Sequence, residues 1–92
     1  FSSCSHAGAI NVMLHARRLT GIDTIYAFVG GMHLTGAIME PVIPTTLDAL
    51  SDIAPQVLVP GHCTGWKATH EVARRFASAY VQGSVGTRLH FA

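Results

Sequence analysis

The spacing of apolar residues alternates along the chain between a helical period and the shorter runs typical of strands. Helical stripes and β-branched or aromatic runs together predict helices over 9–20, 44–54 and 66–80, and strands over 24–29, 56–59 and 85–91. Alternating helices and strands favour crossover connections and a largely parallel sheet, so the predicted fold class is α/β.

Local residues mark the ends of these helices. Gly21 follows the first helix, which carries Arg17 and Arg18 in its last turn. Thr45 and Asp48 have the spacing of a capping box at the start of the second helix. Each signal is local, so it predicts a boundary and not the packing of the helix.

The first loop of the chain follows directly on Phe1, and a loop of this kind needs a rigid strand before it. We therefore interpret Phe1 as the end of a strand that lies largely outside the sequence, which also lacks an initiator methionine. The expectation is a fragment, a truncated product or one half of a split protein.

Composition narrows the range of functions. A chain of 92 residues forms at most one small domain, and its 49% hydrophobic content with 12% charged residues predicts a folded domain with uncovered apolar surface. The net charge of +1, without a long basic run, indicates neither a nucleic acid nor a membrane as partner. Two cysteines among loop histidines, without a signal peptide, favour a reducing compartment, by default the cytoplasm.

Three histidines lie where loops leave the predicted strands. His6 and His62 lie on loops bounded by glycine, while His33 and His62 come directly after apolar runs. Loops that follow parallel strands meet at the carboxyl edge of the sheet. Imidazole is a common metal ligand, so this repetition predicts a metal site.

Four motifs along the chain resemble the metallo-β-lactamase fold superfamily. They are Cys-Ser-His-Ala-Gly at 4–8, Ala-Arg-Arg-Leu-Thr-Gly at 16–21, Val-Gly-Gly-Met-His-Leu at 29–34 and Val-Pro-Gly-His-Cys-Thr-Gly-Trp at 59–66. The branch they resemble includes the 7,8-dihydropterin-6-methyl-4-(β-D-ribofuranosyl)-aminobenzene-5′-phosphate synthases. The resemblance implies that residues 1–92 are a partial domain, the C-terminal half of an αββα sandwich. The superfamily's His-x-His-x-Asp-His motif, from the N-terminal half, does not occur in these residues.

The resemblance also implies one or two divalent metal ions in the complete protein, zinc first, with iron or manganese as alternatives. His62 matches the last metal histidine of the superfamily. Either His6 or Cys4 matches a further ligand, with His6 favoured and the register open. His33 belongs to a motif of this branch and is expected to face the substrate as a catalytic residue. Cys63 is expected to pack behind His62.

The activity that the resemblance implies is that of a metallo-hydrolase or a pterin-related synthase or transferase, using metal-activated water or metal-bound substrate. The expected substrate is a small molecule, with a phosphorylated one as a candidate. An isolated fragment has too few ligands for a two-metal site and is expected to be inactive without its missing half, or to self-associate. The alternative is a catalytically silent remnant that at most binds an ion or pairs with a partner chain.

A redox role for Cys4 and Cys63 is a third hypothesis. It is disfavoured by the sequence because no Cys-x-x-Cys motif is present and each cysteine lies near a histidine.

Overall fold

The computed structural model describes residues 1–91, and within them three α-helices alternate with two short strands. In chain order these are α1 (Ala9–Thr20), β1 (Ala27–Gly30), α2 (Ile43–Ile53), β2 (Val57–Pro60) and α3 (Trp66–Arg75), with 3-10 turns at Glu40–Val42 and His62–Thr64. The predicted α/β class and the alternation of helices with strands are confirmed.

The sheet is parallel. β1 and β2 pair with Phe28 opposite Leu58, and single parallel bridges add Ser2 beside Gly30 and Tyr80 beside Leu58. The first residues of the chain therefore lie alongside the end of β1 and run in the same direction as that strand.

The first helix has the bounds that its sequence predicts. α1 ends at Gly21, which adopts a left-handed conformation with φ of 70° and donates its N–H to the Arg17 carbonyl at 2.9 Å. Glycine adopts this conformation without a steric penalty. The helix buries Ala9 and Met13.

The predicted capping box of α2 is wrong. The 3-10 turn Glu40–Val42 runs directly into the helix, and no side chain caps its N-terminus. The Asp48 carboxylate instead accepts a hydrogen bond from Arg75 at 2.6 Å, linking α2 to the end of α3. Pro55 follows the helix as predicted, one residue after Ala54, whose N–H bonds to Leu50.

Two predictions for the last third of the chain are wrong. α3 ends at Arg75, five residues early, because the following turn brings the chain beside the sheet: Leu58 donates to the Ala79 carbonyl and accepts from Val81, both at 2.8 Å. Residues 85–91 form no strand, since no described strand pairs with them and Val85 lies fully in solvent.

One cluster of buried apolar side chains joins the helices to the sheet. Its fully buried members include Leu47 and Leu50 from α2, Leu58 from β2 and Val72 from α3. Ion pairs such as Lys67–Glu40, at 2.6 Å, lie at the surface and contribute at most about 1 kcal/mol. Among the helices of residues 1–91, none is both long enough and apolar enough to cross a bilayer.

Candidate metal centre

Three loops meet at the end of the sheet where β1 and β2 finish. They comprise residues 3–8, 31–35 and 61–65. Gly31 donates its N–H to the Ser3 carbonyl at 3.0 Å, and Leu34 donates to the Cys63 carbonyl at 3.1 Å. These backbone bonds join the middle loop to both neighbours, so the side chains of all three loops share one edge of the sheet.

Glycine makes this close packing possible. A Cβ atom on Gly31 would collide with Cys63 Sγ and would lie 2.7 Å from the Ser3 carbonyl oxygen. A Cβ atom on Gly61 would lie 2.8 Å from the backbone of Gly30. Any larger residue at either position would force the loops apart.

The first and third loops bring together a cysteine, a histidine and a second cysteine, here called the Cys4–His62–Cys63 cluster. Their candidate ligand atoms all lie within 4.8 Å of one another. Cys4 Sγ lies 3.0 Å from His62 Nε2, and Cys63 Sγ donates to the Cys4 carbonyl at 3.4 Å. Both cysteines are half-buried and His62 is exposed, so the cluster is accessible from solvent.

Cys63 influences the ionisation of Cys4. A side-chain hydrogen bond to Cys63, followed by burial and by the charge of Cys63, raises the pKa of the Cys4 thiol above its ordinary value, and Ser3 acts in the opposite direction. A metal ion binds the thiolate and not the thiol. Metal binding at this cluster would therefore release protons.

His6 and His33 form a separate pair beside the cluster. Their ring centroids lie 4.3 Å apart, with the ring planes tilted by 47°. His33 adopts φ of 51°, and its Nδ1 atom is buried without a hydrogen-bond partner among the described residues. The backbone on its N-terminal side is fixed, because Met32 donates its N–H to the buried Thr64 hydroxyl at 3.1 Å.

The structure thus places all four sequence-predicted site residues on loops at this edge. It brings Cys4 and His62 into direct contact, whereas His6 contacts His33 and lies outside the cluster. Cys63 was expected to pack behind His62, but its sulfur lies within reach of both other ligand atoms. The signal in the sequence was that Cys63 directly follows His62 on the same loop.

The cluster fits a metal ion chemically. Cysteine sulfur and histidine nitrogen are the usual ligands of zinc, and soft sulfur ligands also suit iron in its sulfur-bound forms. A closed tetrahedral site requires four ligands, and the cluster offers three. Catalytic zinc sites typically have three protein ligands and one open position.

Comparison with known proteins gives the class of the fold. The crystal structure of a metal-dependent hydrolase of the β-lactamase superfamily matches 99% of the chain with a TM-score of 0.87 and 27% sequence identity. The resemblance to the metallo-β-lactamase superfamily is therefore confirmed. No family model matches the chain.

Two curated relatives come from Methanocaldococcus jannaschii. One is the 7,8-dihydropterin-6-methyl-4-(β-D-ribofuranosyl)-aminobenzene-5′-phosphate synthase, 31% identical over 90 residues that are 98% of this chain and 30% of the relative. The other is an uncharacterized protein, 32% identical over 88 residues that are 92% of this chain and 30% of that protein. The chain spans about a third of the length of the proteins it matches.

Proposed function

We propose that this chain contributes one wall of the active site of a metal-dependent enzyme with the metallo-β-lactamase fold. The observation that supports the proposal is the convergence of Cys4, His62 and Cys63 from two loops that are far apart in sequence. Cys4 Sγ and His62 Nε2 lie 3.0 Å apart in a hydrogen-bond contact, and a separation of about 3.6 Å would let both atoms bind one tetrahedral ion. The description of the structural relative as a metal-dependent hydrolase points the same way.

The nitrogen and sulfur donors favour zinc or iron over manganese, which prefers oxygen ligands. A bound ion of this kind would act as a Lewis acid and lower the pKa of a bound water. The role of the protein is to hold Cys4, His62 and Cys63 in place on loops locked together by their backbone hydrogen bonds.

His6 is the next candidate ligand, because it follows Cys4 by two residues on the same loop. We assign His33 to the substrate as a catalytic residue, since it lies on the loop that the backbone hydrogen bonds hold between the two loops of the cluster. The contact between the two rings would then keep the metal ligand and the substrate contact in a fixed relation.

The proposed substrate is a small molecule carrying a phosphate. The support is the name of the synthase from M. jannaschii, which describes a phosphorylated compound bearing a pterin. Because the relatives are about three times as long as this chain, we place the remaining metal ligands and the substrate-binding loops on a further part of the domain. The 92 residues alone are then expected to bind metal weakly and to lack turnover.

Titration with Co²⁺ and Zn²⁺ tests the metal centre. We expect about one ion per chain and a thiolate-to-cobalt charge-transfer band, and His62→Ala should weaken binding at least about tenfold. His70→Ala is the matched control, since His70 is an exposed histidine of α3 outside the cluster and its loss should leave binding unchanged. Equal affinity of the wild type and His62→Ala would refute the assignment.

A further inference from the structure

The two cysteines of the chain lie 59 residues apart in sequence but meet at the edge of the sheet. Their sulfur atoms lie within 4.8 Å of each other, and Cys63 Sγ lies 3.4 Å from the carbonyl oxygen of Cys4. Both are free thiols and both are half-buried. The fold therefore brings Cys4 and Cys63 together, although no short sequence motif contains both of them.

The space between the two cysteines suits a covalent bond. Both lie over Gly31, where an added Cβ atom would collide with Cys63 Sγ and lie 3.3 Å from Cys4 Cα. The absence of a side chain at Gly31 therefore lets Cys63 Sγ occupy its place beside Cys4. A disulfide requires about 2.05 Å between sulfurs, so both side chains must rotate toward each other.

We propose that Cys4 and Cys63 form a reversible intrachain disulfide on exposure to a peroxide, and that this bond dismantles the metal-binding cluster. The first thiol reacts with hydrogen peroxide to give a sulfenic acid and one molecule of water. The second thiol displaces the hydroxyl of the sulfenic acid as a second molecule of water. The two thiols together lose two electrons and two protons, and the peroxide is reduced.

The consequence for the cluster follows from ligand chemistry. Sulfur atoms joined in a disulfide no longer act as thiolate ligands, so His62 is the one donor of the cluster that survives oxidation. Conversely, an ion bound to both thiolates should protect them from the peroxide. The pairing of the cysteines stands on geometry alone, whereas its effect on the metal rests on the proposed function.

Mass spectrometry of the reduced, metal-free protein after treatment with hydrogen peroxide tests the pairing. We expect the loss of two hydrogen atoms per chain, a tryptic cross-link between peptides 1–17 and 19–67, and full reversal by dithiothreitol. In Cys63→Ser the remaining thiol should gain oxygen atoms instead. Oxygenation of both cysteines in the wild type, or cross-links only between chains, would overturn the proposal.

Repeating the oxidation with Zn²⁺, and with Mg²⁺ as the control ion, separates this inference from the proposed function. Zinc should slow the appearance of the disulfide at least about tenfold, and magnesium should not. Disulfide formation without zinc binding would support the pairing of the cysteines and refute the metal centre. Zinc binding without any disulfide would refute the pairing and leave the metal centre standing.

Discussion

Gly31 lies at the point where the three loops touch, so a single methyl group there should disturb the whole site. In Gly31→Ala the new Cβ would collide with Cys63 Sγ and approach the carbonyl of Ser3. We expect a loss of about 1–3 kcal/mol in the free energy of unfolding, measured with urea, together with weaker zinc binding.

Gly36→Ala is the control for this substitution. A Cβ atom there would meet no atom within 4 Å, but its φ of 92° makes any side chain strained. The control should lose stability through backbone conformation alone and keep its affinity for zinc. Unchanged zinc affinity in Gly31→Ala would show that the close contact does not shape the cluster.

The Cys4 thiol should titrate at a higher pH in the folded protein than in the unfolded chain, chiefly because of its hydrogen bond with Cys63. A raised pKa in the folded state means that the stability linked to this thiol is present below the unfolded pKa and is lost as the pH rises through the folded pKa. Alkaline solutions should therefore destabilise the metal-free protein.

Replacement of Cys63 tests the cause of this shift. Cys63→Ala removes both the hydrogen bond and the neighbouring charge, so the pKa of the Cys4 thiol should fall toward its ordinary value. The measurement is the pH dependence of alkylation of peptide 1–17, followed by mass spectrometry. Cys63→Ser keeps a hydroxyl and should give an intermediate midpoint, and identical midpoints in all three proteins would contradict the stated cause.

At the scale of the elements, the loop after β1 is held to the turn after β2 by a buried hydrogen bond. Thr64 is fully buried, and its hydroxyl accepts the N–H of Met32 at 3.1 Å. Thr64→Val keeps the shape but leaves that N–H unpaired, so we expect a loss of about 1–3 kcal/mol in urea unfolding.

The comparison with Thr64→Ser distinguishes the hydrogen bond from packing. Serine keeps the acceptor and removes one methyl group, which corresponds to about 0.8 kcal/mol of apolar burial. Thr64→Val should therefore be the less stable of the two variants. A larger loss in Thr64→Ser would mean that the methyl group, and not the hydroxyl, holds the two loops together.

The elements that sequence predicted well are those whose ends are set locally. α1 matches its predicted bounds because Gly21 supplies the left-handed residue that ends it. The end of α3 depends on a residue far away in sequence, because the backbone of Leu58 forms hydrogen bonds with Ala79 and Val81. The alternating residues of 85–91 predicted a strand, but alternation indicates a strand only where a neighbouring strand is available to pair.

The same distinction applies to the candidate site. Sequence order placed His6, His33 and His62 after strands, and the parallel sheet gathers their loops at one edge as expected. The approach of Cys63 to Cys4 depends on the absence of a side chain at Gly31, which is a three-dimensional property of the loops. The hydropathy pattern therefore predicted the edge of the sheet at which these loops meet, and the packing of the loops determined which side chains come into contact there.

For the molecule as a whole, four exposed apolar side chains gather in one groove beside β1. Phe1, Ile22, Tyr26 and Phe91 are between 46% and 99% exposed and line a groove of about 370 Å³. The rings of Tyr26 and Phe91 pack edge to face at 5.9 Å, so the groove has an ordered aromatic wall. Water-exposed apolar surface gathered in one place favours association.

We therefore expect the 92-residue chain to self-associate through this groove, with sedimentation velocity showing mass that increases with concentration. Ile22→Lys together with Tyr26→Lys places two charges on the groove and should shift the distribution toward the monomer, because burying an unpaired charge is costly. Ile38→Lys is the control, since Ile38 is 89% exposed but lies outside the groove. The expectation would be wrong if the wild-type chain remained a monomer and unfolded cooperatively at all concentrations. The core of residues 1–91 would then be sufficient to keep the chain folded without a second molecule bound over the groove.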